Sequence, residues 1–191
     1  DDVLPDTAPD RASFGLPEKA FVFCGFSNNY KITPEVFDIW MELLREIPDS
    51  VLWLRKYHRA VVANLHAAAE ARGIAPDRLI LAPALPRNAY LNRYRCADLF
   101  LDTLPYGCCS TAADALWAGL PILTCAGATY VGRMCASVVN AAGVNEMIVQ
   151  DLAAYRAKAL ELARNPARLA DIRSEEHTSE LQSRLHLVCR L

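Results

Sequence analysis

The 191-residue chain is 53% hydrophobic and 22% charged with a formal net charge of −2, which excludes a disordered or fibrous protein and favours one globular domain. It has no apolar stretch of membrane-spanning length, its first residues are acidic and proline-rich rather than like a signal peptide, and it has no basic block for nucleic acid. We therefore expect a cytoplasmic protein with a small or neutral ligand and neither a nucleic-acid nor a membrane partner.

Short apolar runs alternate with amphipathic stretches along most of the chain. The runs that predict strands are Phe21–Phe26, Ser50–Arg55, Arg78–Ala84, Leu99–Thr103 and Pro121–Cys125. Strands that are apolar throughout are typical of a parallel sheet covered on both faces. The alternation therefore predicts an α/β fold with a parallel sheet.

The stretches between these runs predict helices with recognisable ends. They cover about residues 34–47, 59–72, 110–118, 132–142 and 152–162. Thr33 is an expected N-cap because a proline and a glutamate follow it, and Asp151 is another. The second and third helices each end at a glycine with a proline two or three residues beyond.

Both ends of the chain differ from this pattern. Residues 1–17 are rich in proline, aspartate and alanine and are predicted to be a lead-in or linker, followed by one lobe over 18–172. Residues 173–183, RSEEHTSELQS, resemble the translation of a common sequencing adapter. We interpret residues 173–191 as a non-native tail, with a genuine polar helix as the alternative.

The seven cysteines lie mostly inside apolar runs and show no C-x-x-C spacing. They are predicted to be buried thiols rather than a disulfide framework or a zinc site, so no metal is expected. Cys108 and Cys109 are the exception, because their segment has the character of a binding loop.

Two polar segments follow predicted strands, at the sheet edge where α/β proteins bind ligands. Ser27–Lys31 holds a lysine and two amides that can donate to a phosphate, although a polar turn between strand and helix fits the same residues. Leu85–Arg93 holds two arginines and Tyr90, whose ring could stack on a base. A helix surface with two solvated arginines is the alternative there.

A third such segment is Tyr106–Asp114. Its small residues let a ligand approach the backbone, Ser110 and Thr111 offer hydroxyl and N–H groups to an anion, and Asp114 could accept two ribose hydroxyls. A serine N-cap on a structural helix fits equally. Neither G-x-x-x-x-G-K-[ST] nor G-x-G-x-x-G occurs, which argues against a P-loop nucleotidase and an ordinary nicotinamide enzyme. Together the three segments predict a nucleoside-diphosphate pocket.

In the segments described above, the chain resembles the C-terminal catalytic lobe of the protein O-linked N-acetylglucosamine transferase family. The resemblance rests on VFCGFSNNYKITPEVFDIW, RLILAPALPRNAYLNRYRCADLFLDTLPYGCCSTAADALWAGLPILT and GRMCASVVNAAGVNEMI, collinear over about residues 12–172. It implies a Rossmann-like lobe of a GT-B glycosyltransferase that binds UDP-N-acetylglucosamine. It further implies transfer of the sugar to Ser or Thr hydroxyls of proteins with inversion and without a metal or separate cofactor.

The resemblance also implies roles for single residues. Asn28 and Lys31 match an amide and a lysine at the diphosphate, and Lys31 matches the catalytic group that stabilises the departing UDP. The other implied nucleotide-site residues are Leu85 (backbone contact to uracil), Arg87 (near the nucleotide), Tyr90 (stacked on uracil), Arg93 (near the base), Ser110 with Thr111 (both at the diphosphate), Asp114 (ribose) and Cys109.

Three positions depart from the family pattern. Cys109 stands where the family has histidine, Ala128 where it has glutamate, and Tyr90 replaces a stacking histidine. Two alternatives therefore stay open: a GT-B transferase with another nucleotide sugar, and a non-catalytic nucleotide-sugar-binding module. The resemblance implies that an amino-terminal lobe and tetratricopeptide repeats for the acceptor protein lie outside this sequence, so we expect a fragment that is inactive alone.

Overall fold

A computed structural model of the chain describes residues 4–5 and 7–176, so most of the predicted non-native tail lies outside the described residues. One parallel sheet organises this part of the chain. Its strands are β1 (Phe21–Gly25), β2 (Ser50–Arg55), β3 (Leu79–Ala82), β4 (Leu99–Leu101), β5 (Ile122–Cys125) and β6 (Ile148–Val149). They are ordered β3-β2-β1-β4-β5-β6. This order changes direction between β1 and β4, where α/β sheets open a crevice at the carboxyl ends of the strands.

The α/β prediction is confirmed. Each of the five predicted strands is present, shortened at one or both ends in all but β2. The prediction missed β6, because two residues that are only partly buried give no periodic signal.

Seven helices surround the sheet in the described part of the chain. They are α1 (Pro34–Glu46), α2 (Arg59–Glu70), α3 (Arg87–Asn92), α4 (Ser110–Trp117), α5 (Tyr130–Ala141), α6 (Leu152–Arg164) and α7 (Pro166–Glu176). Thr33 caps α1 and Asp151 caps α6 through their side chains, as predicted. Helix α5 begins two residues earlier than predicted because Thr129 is its N-cap and accepts a hydrogen bond from the Gly132 amide.

The core lies between the sheet and its helices. Phe23 and Phe100 on adjacent strands, with Trp40 and Trp53, are at most 1% exposed. Helix α1 packs against α6, and α4 packs against α3 and α5. The central strands are thereby buried, which fixes the positions of the loops that leave them.

The segments near the two ends of the described chain pack on the lobe. Arg11 donates to both oxygens of Asp98 at 2.8 and 2.9 Å, and Leu16 is buried. Arg173 in α7 donates to the Ala97 carbonyl at 2.7 Å. The predicted boundaries at residues 17 and 173 stay predictions. None of the described helices is long and apolar enough to cross a membrane.

Candidate nucleotide site

A cavity of about 260 Å3 opens at the carboxyl ends of β1, β2 and β3. It is lined by Phe26, Arg55, Lys56, Ala82, Pro83, Ala84, Leu85, Tyr90, Arg93 and Thr111. Four of these residues were singled out from the sequence: Leu85, Tyr90, Arg93 and Thr111. The sequence analysis missed Arg55, the last residue of β2, and Lys56, which follows it. The rule that ligands bind at the carboxyl ends of the strands would have found both.

Arg93 is the most constrained cation of this cavity. It is 4% exposed, it donates through Nη1 to the Pro83 carbonyl at 2.7 Å, and its guanidinium lies 4.2 Å from the centre of the Phe26 ring and 4.6 Å from that of Tyr90. Burial lowers its pKa from the ordinary arginine value. Its buried Nε has no hydrogen-bond partner within the described residues. The alternative of two solvated arginines on this segment is therefore wrong for Arg93, a residue that lines the cavity and keeps a buried donor without a partner among the described residues.

Tyr90 presents the aromatic surface of the cavity. Its hydroxyl is hydrogen-bonded to that of Tyr94 at 2.7 Å, and the two rings meet edge to face. Burial raises the pKa of Tyr90, so the phenol stays protonated at neutral pH. The contact between the two hydroxyl groups fixes the position of the Tyr90 ring, and the guanidinium groups of Arg93 and Arg87 lie 4.6 and 5.8 Å from its centre.

An ion pair joins the second and third predicted segments. Arg87 Nη2 on α3 lies 2.7 Å from Asp114 Oδ1 on α4. The Asp114 side chain is 15% exposed, whereas that of Arg87 is 52% exposed. The carboxylate predicted to accept ribose hydroxyls is thus already paired with a half-exposed cation.

The start of α4 lacks a side-chain cap. The N-cap residue is the exposed Cys109, which makes no capping hydrogen bond, and Ser110 is the first helical residue. The alternative of a serine N-cap is therefore wrong. The first amides of a helix have no partner inside the helix, and together with the helix dipole they favour an anion at this point.

Lys31 and Asn28 lie beside the cavity rather than in its wall. Lys31 Nζ donates to the Gly107 carbonyl at 2.9 Å, three residues before α4 begins. Asn28 Oδ1 accepts a hydrogen bond from Arg55 at 2.6 Å, which connects Asn28 to the cavity wall. The ends of β1, β2 and β4 thus converge through direct contacts.

A buried carboxylate supports the loop between β4 and α4. Asp102 is 1% exposed, its Oδ1 accepts from the Cys108 amide and its Oδ2 from the Thr124 hydroxyl, both at 2.8 Å. Burial raises its pKa. The Tyr155 hydroxyl of α6 donates to the Asp102 carbonyl at 2.9 Å. Sequence reasoning missed this residue; the signal was an acid directly after an apolar strand.

A larger cavity of about 470 Å3 lies at the opposite, amino-terminal edge of the strands, where Arg11, Lys19 and Asp98 line it. It contains none of the residues predicted for the nucleotide site. Within residues 4–5 and 7–176, no group of three or more His, Cys, Asp or Glu side chains is arranged to hold a metal ion.

Known structures resemble this arrangement. A mutant of the O-GlcNAc transferase of Thermobaculum terrenum superposes with a TM-score of 0.81 at 33% identity, over 88% of this chain and 35% of that one. Anabaena Alr3699/HepE in complex with UDP superposes with a TM-score of 0.69 at 15% identity, over 94% of this chain and 49% of that one. The second likeness is one of fold alone.

Curated relatives agree with the first structure. A probable UDP-N-acetylglucosamine–peptide N-acetylglucosaminyltransferase, SEC, of Arabidopsis thaliana is 35% identical over 94% of this chain, which spans 19% of that protein. The corresponding transferase of Caenorhabditis elegans is 30% identical over 92% of this chain, which spans 15% of it. This chain thus spans less than a fifth of these two relatives. The sequence profile of glycosyl transferase family 41 matches residues 6–190, and the chain therefore belongs to that family.

Proposed function

We propose that this chain is the donor-binding lobe of a glycosyltransferase that moves N-acetylglucosamine from UDP-N-acetylglucosamine to Ser or Thr hydroxyls of proteins. The observation that carries the proposal is the uncapped start of α4, with the Lys31 ammonium hydrogen-bonded to the loop that leads into it. A helix start and a nearby lysine form a site for the two negative charges of a diphosphate. The donor and acceptor named for the Arabidopsis and nematode relatives agree with this chemistry.

In the proposed reaction the acceptor hydroxyl attacks the anomeric carbon from the face opposite UDP, so the configuration inverts. Negative charge develops on the β-phosphate as the bond to the sugar breaks. The Lys31 ammonium and the first amides of α4 stabilise that charge, which supplies electrostatic catalysis without a metal. A general base takes the proton of the acceptor hydroxyl, and we propose that this chain supplies neither that base nor the acceptor site and transfers no sugar alone.

The nucleoside occupies the 260 Å3 cavity in this proposal. Uracil stacks on Tyr90 and contacts the backbone at Leu85, while the unused Nε of Arg93 is available to a carbonyl oxygen of the base. Asp114 releases Arg87 and accepts hydrogen bonds from the ribose hydroxyls instead.

Thermal unfolding of the 191-residue chain with UDP, ADP and UDP-N-acetylglucosamine tests the proposal. A ligand at 100 times its dissociation constant stabilises the native state by about 2.7 kcal/mol, which raises the melting temperature of a chain this size by roughly 5–10 °C. We expect this shift with the two uridine ligands, and a clearly smaller shift in Lys31→Ala and in Asp114→Ala. Lys19→Ala, an exposed lysine at the opposite edge, is the matched control and should keep the shift. A folded wild-type chain with no shift from any nucleotide would refute the proposal.

A transferase with another donor sugar is the second candidate. Cys109 and Ala128 favour it, because they replace the family's histidine and glutamate where the donor sugar is expected. Competition between UDP-N-acetylglucosamine, UDP-glucose and UDP-galactose separates the two. Preference for the N-acetylated donor supports the first candidate, and preference for a donor without the N-acetyl group supports the second.

A further inference from the structure

The ammonium group of Lys31 has two partners on one loop. It donates to the Gly107 carbonyl at 2.9 Å, and it lies over the ring of Tyr106, 4.2 Å from the ring centre. The Tyr106 side chain lies at the surface, with 44% of the residue exposed. A ring at this distance attracts a cation through the negative charge of its face.

The ring is itself held in place. Thr103 Oγ1 donates to the Tyr106 carbonyl at 2.9 Å, which anchors the backbone of the loop to the end of β4. On its open side the ring meets Tyr30 at 82° with 6.4 Å between ring centres. Tyr30 directly precedes Lys31, so the two tyrosines and the lysine form one cluster across the ends of β1 and β4.

The following glycine brings the loop close to the buried carboxylate. A Cβ at Gly107 would lie 3.0 Å from Asp102 Oδ2, so only glycine fits there without a shift of the carboxylate. Asp102 in turn accepts from the Cys108 amide. The carbonyl and the ring that contact Lys31 therefore belong to a loop fixed on both sides of Gly107.

We propose that Tyr106 is a positioning residue for Lys31: its ring, with the Gly107 carbonyl, holds the ammonium group ready for the diphosphate. A free lysine loses much rotamer entropy when it binds an anion, and a lysine already held by the protein has lost it beforehand. An ammonium has three N–H groups, and the Gly107 carbonyl takes only one. The inference rests on the proposed function, since it assigns a role to Tyr106 in binding the same diphosphate.

Calorimetric titration of the full 191-residue chain with UDP and with uridine tests this role. Tyr106→Leu removes the ring, and we expect UDP to bind about five-fold more weakly, the loss corresponding to one exposed cation–π contact. Uridine has no diphosphate, so its affinity should not change. Tyr106→Phe keeps the ring face and should bind both ligands as the wild type does. Tyr130→Leu, which removes a tyrosine that is 75% exposed at the start of α5, is the matched control.

A spectroscopic measurement tests the contact without any ligand. In lysine-labelled protein, the ring of Tyr106 should shift the εCH2 protons of Lys31 upfield, and Tyr106→Leu should abolish the shift while Tyr106→Phe retains it. Lys31→Arg identifies the signal. Absence of the shift in the wild type overturns the inference.

The binding outcomes separate the role from simpler explanations. If Tyr106→Leu weakens the binding of UDP and of uridine equally, the ring merely supports the fold. If UDP binds to this variant as tightly as to the wild type, or more tightly, the ring does not position Lys31 for the diphosphate. Either result overturns the inference and leaves the proposed function standing. A wild-type chain that shows the upfield shift and binds no UDP would instead refute the proposed function, and the role of Tyr106 with it.

Discussion

Replacing Asp114 by asparagine removes one charge from the proposed ribose site and keeps its shape. The carboxylate is largely buried, and Arg87 holds it at 2.7 Å. In the proposed complex it accepts two ribose hydroxyls in place of that arginine. Asparagine offers a single acceptor oxygen without charge, so the variant weakens the contact with the ribose and leaves the rest of the cavity unchanged.

The size of the effect follows from the exposure of the pair. Hydrogen bonds to a charged group contribute about 1.5–3 kcal/mol. Breaking the Arg87–Asp114 pair on binding costs about 0.5 kcal/mol, a small value because Arg87 is half exposed and solvent screens it. The net contribution of Asp114 is then about 1–2.5 kcal/mol, which corresponds to roughly 5- to 70-fold weaker binding of UDP to Asp114→Asn.

The assay compares two ligands on two proteins by calorimetric titration. UDP and 2′,3′-dideoxyuridine diphosphate differ only in the ribose hydroxyls. We expect Asp114→Asn to weaken UDP by the factor above and to leave the dideoxy ligand within about two-fold of its wild-type affinity, because that ligand never used the carboxylate. An equal loss for both ligands, or none for UDP, would refute the assignment of Asp114 to the ribose.

Two further predictions concern the scaffold of the site. Burial raises the pKa of Asp102, so the folded chain binds the carboxyl proton of Asp102 more tightly than the unfolded chain does. The stability contributed by the protonated carboxyl group is therefore lost as pH rises from about 4 through the raised pKa. Asp102→Asn cannot titrate, so its free energy of unfolding relative to wild type should increase with pH across that window in urea titrations; a difference that is independent of pH would contradict this. At Gly132, a Cβ would lie 2.9 Å from the Pro105 carbonyl and 3.1 Å from the Gly127 Cα. Gly132→Ala should therefore lower the free energy of unfolding by about 1–3 kcal/mol in the same titrations, and an unchanged midpoint would count against this close contact of the two loops with α5.

The sequence predicted the sheet well because the central strands carry their own signal. β1 and β2 are continuous apolar runs between polar turns, and burial on both faces requires such runs. The prediction failed for helices and strands that are short or only partly buried. Helix α3 has six residues and no side-chain cap. Neither periodicity nor an end signal therefore distinguished a helix at this position from a ligand-binding segment. Its formation depends on packing against α4, which a local pattern does not contain.

The candidate site was predictable to the extent that the ends of parallel strands meet. That rule selected the segments after β1, β3 and β4, and the structure brings them together. It did not give the pairing of Arg87 with Asp114 or the enclosure of Arg93 between Phe26 and Tyr90. These contacts depend on side-chain rotamers across elements far apart in sequence, and no spacing rule encodes them.

The order of the strands also places two parts of the proposed site, the contacts to the diphosphate and those to the base, on different strands of the sheet. Three steps of about 4.8 Å separate β3 from β4, so these two strands lie about 14 Å apart across the sheet, although the helices that follow them meet through the Arg87–Asp114 pair. The proposed charge-binding loops leave the two innermost strands, whereas the proposed base contacts follow the outermost one. Substitutions at the proposed base contacts are therefore expected to leave the proposed diphosphate contacts in place.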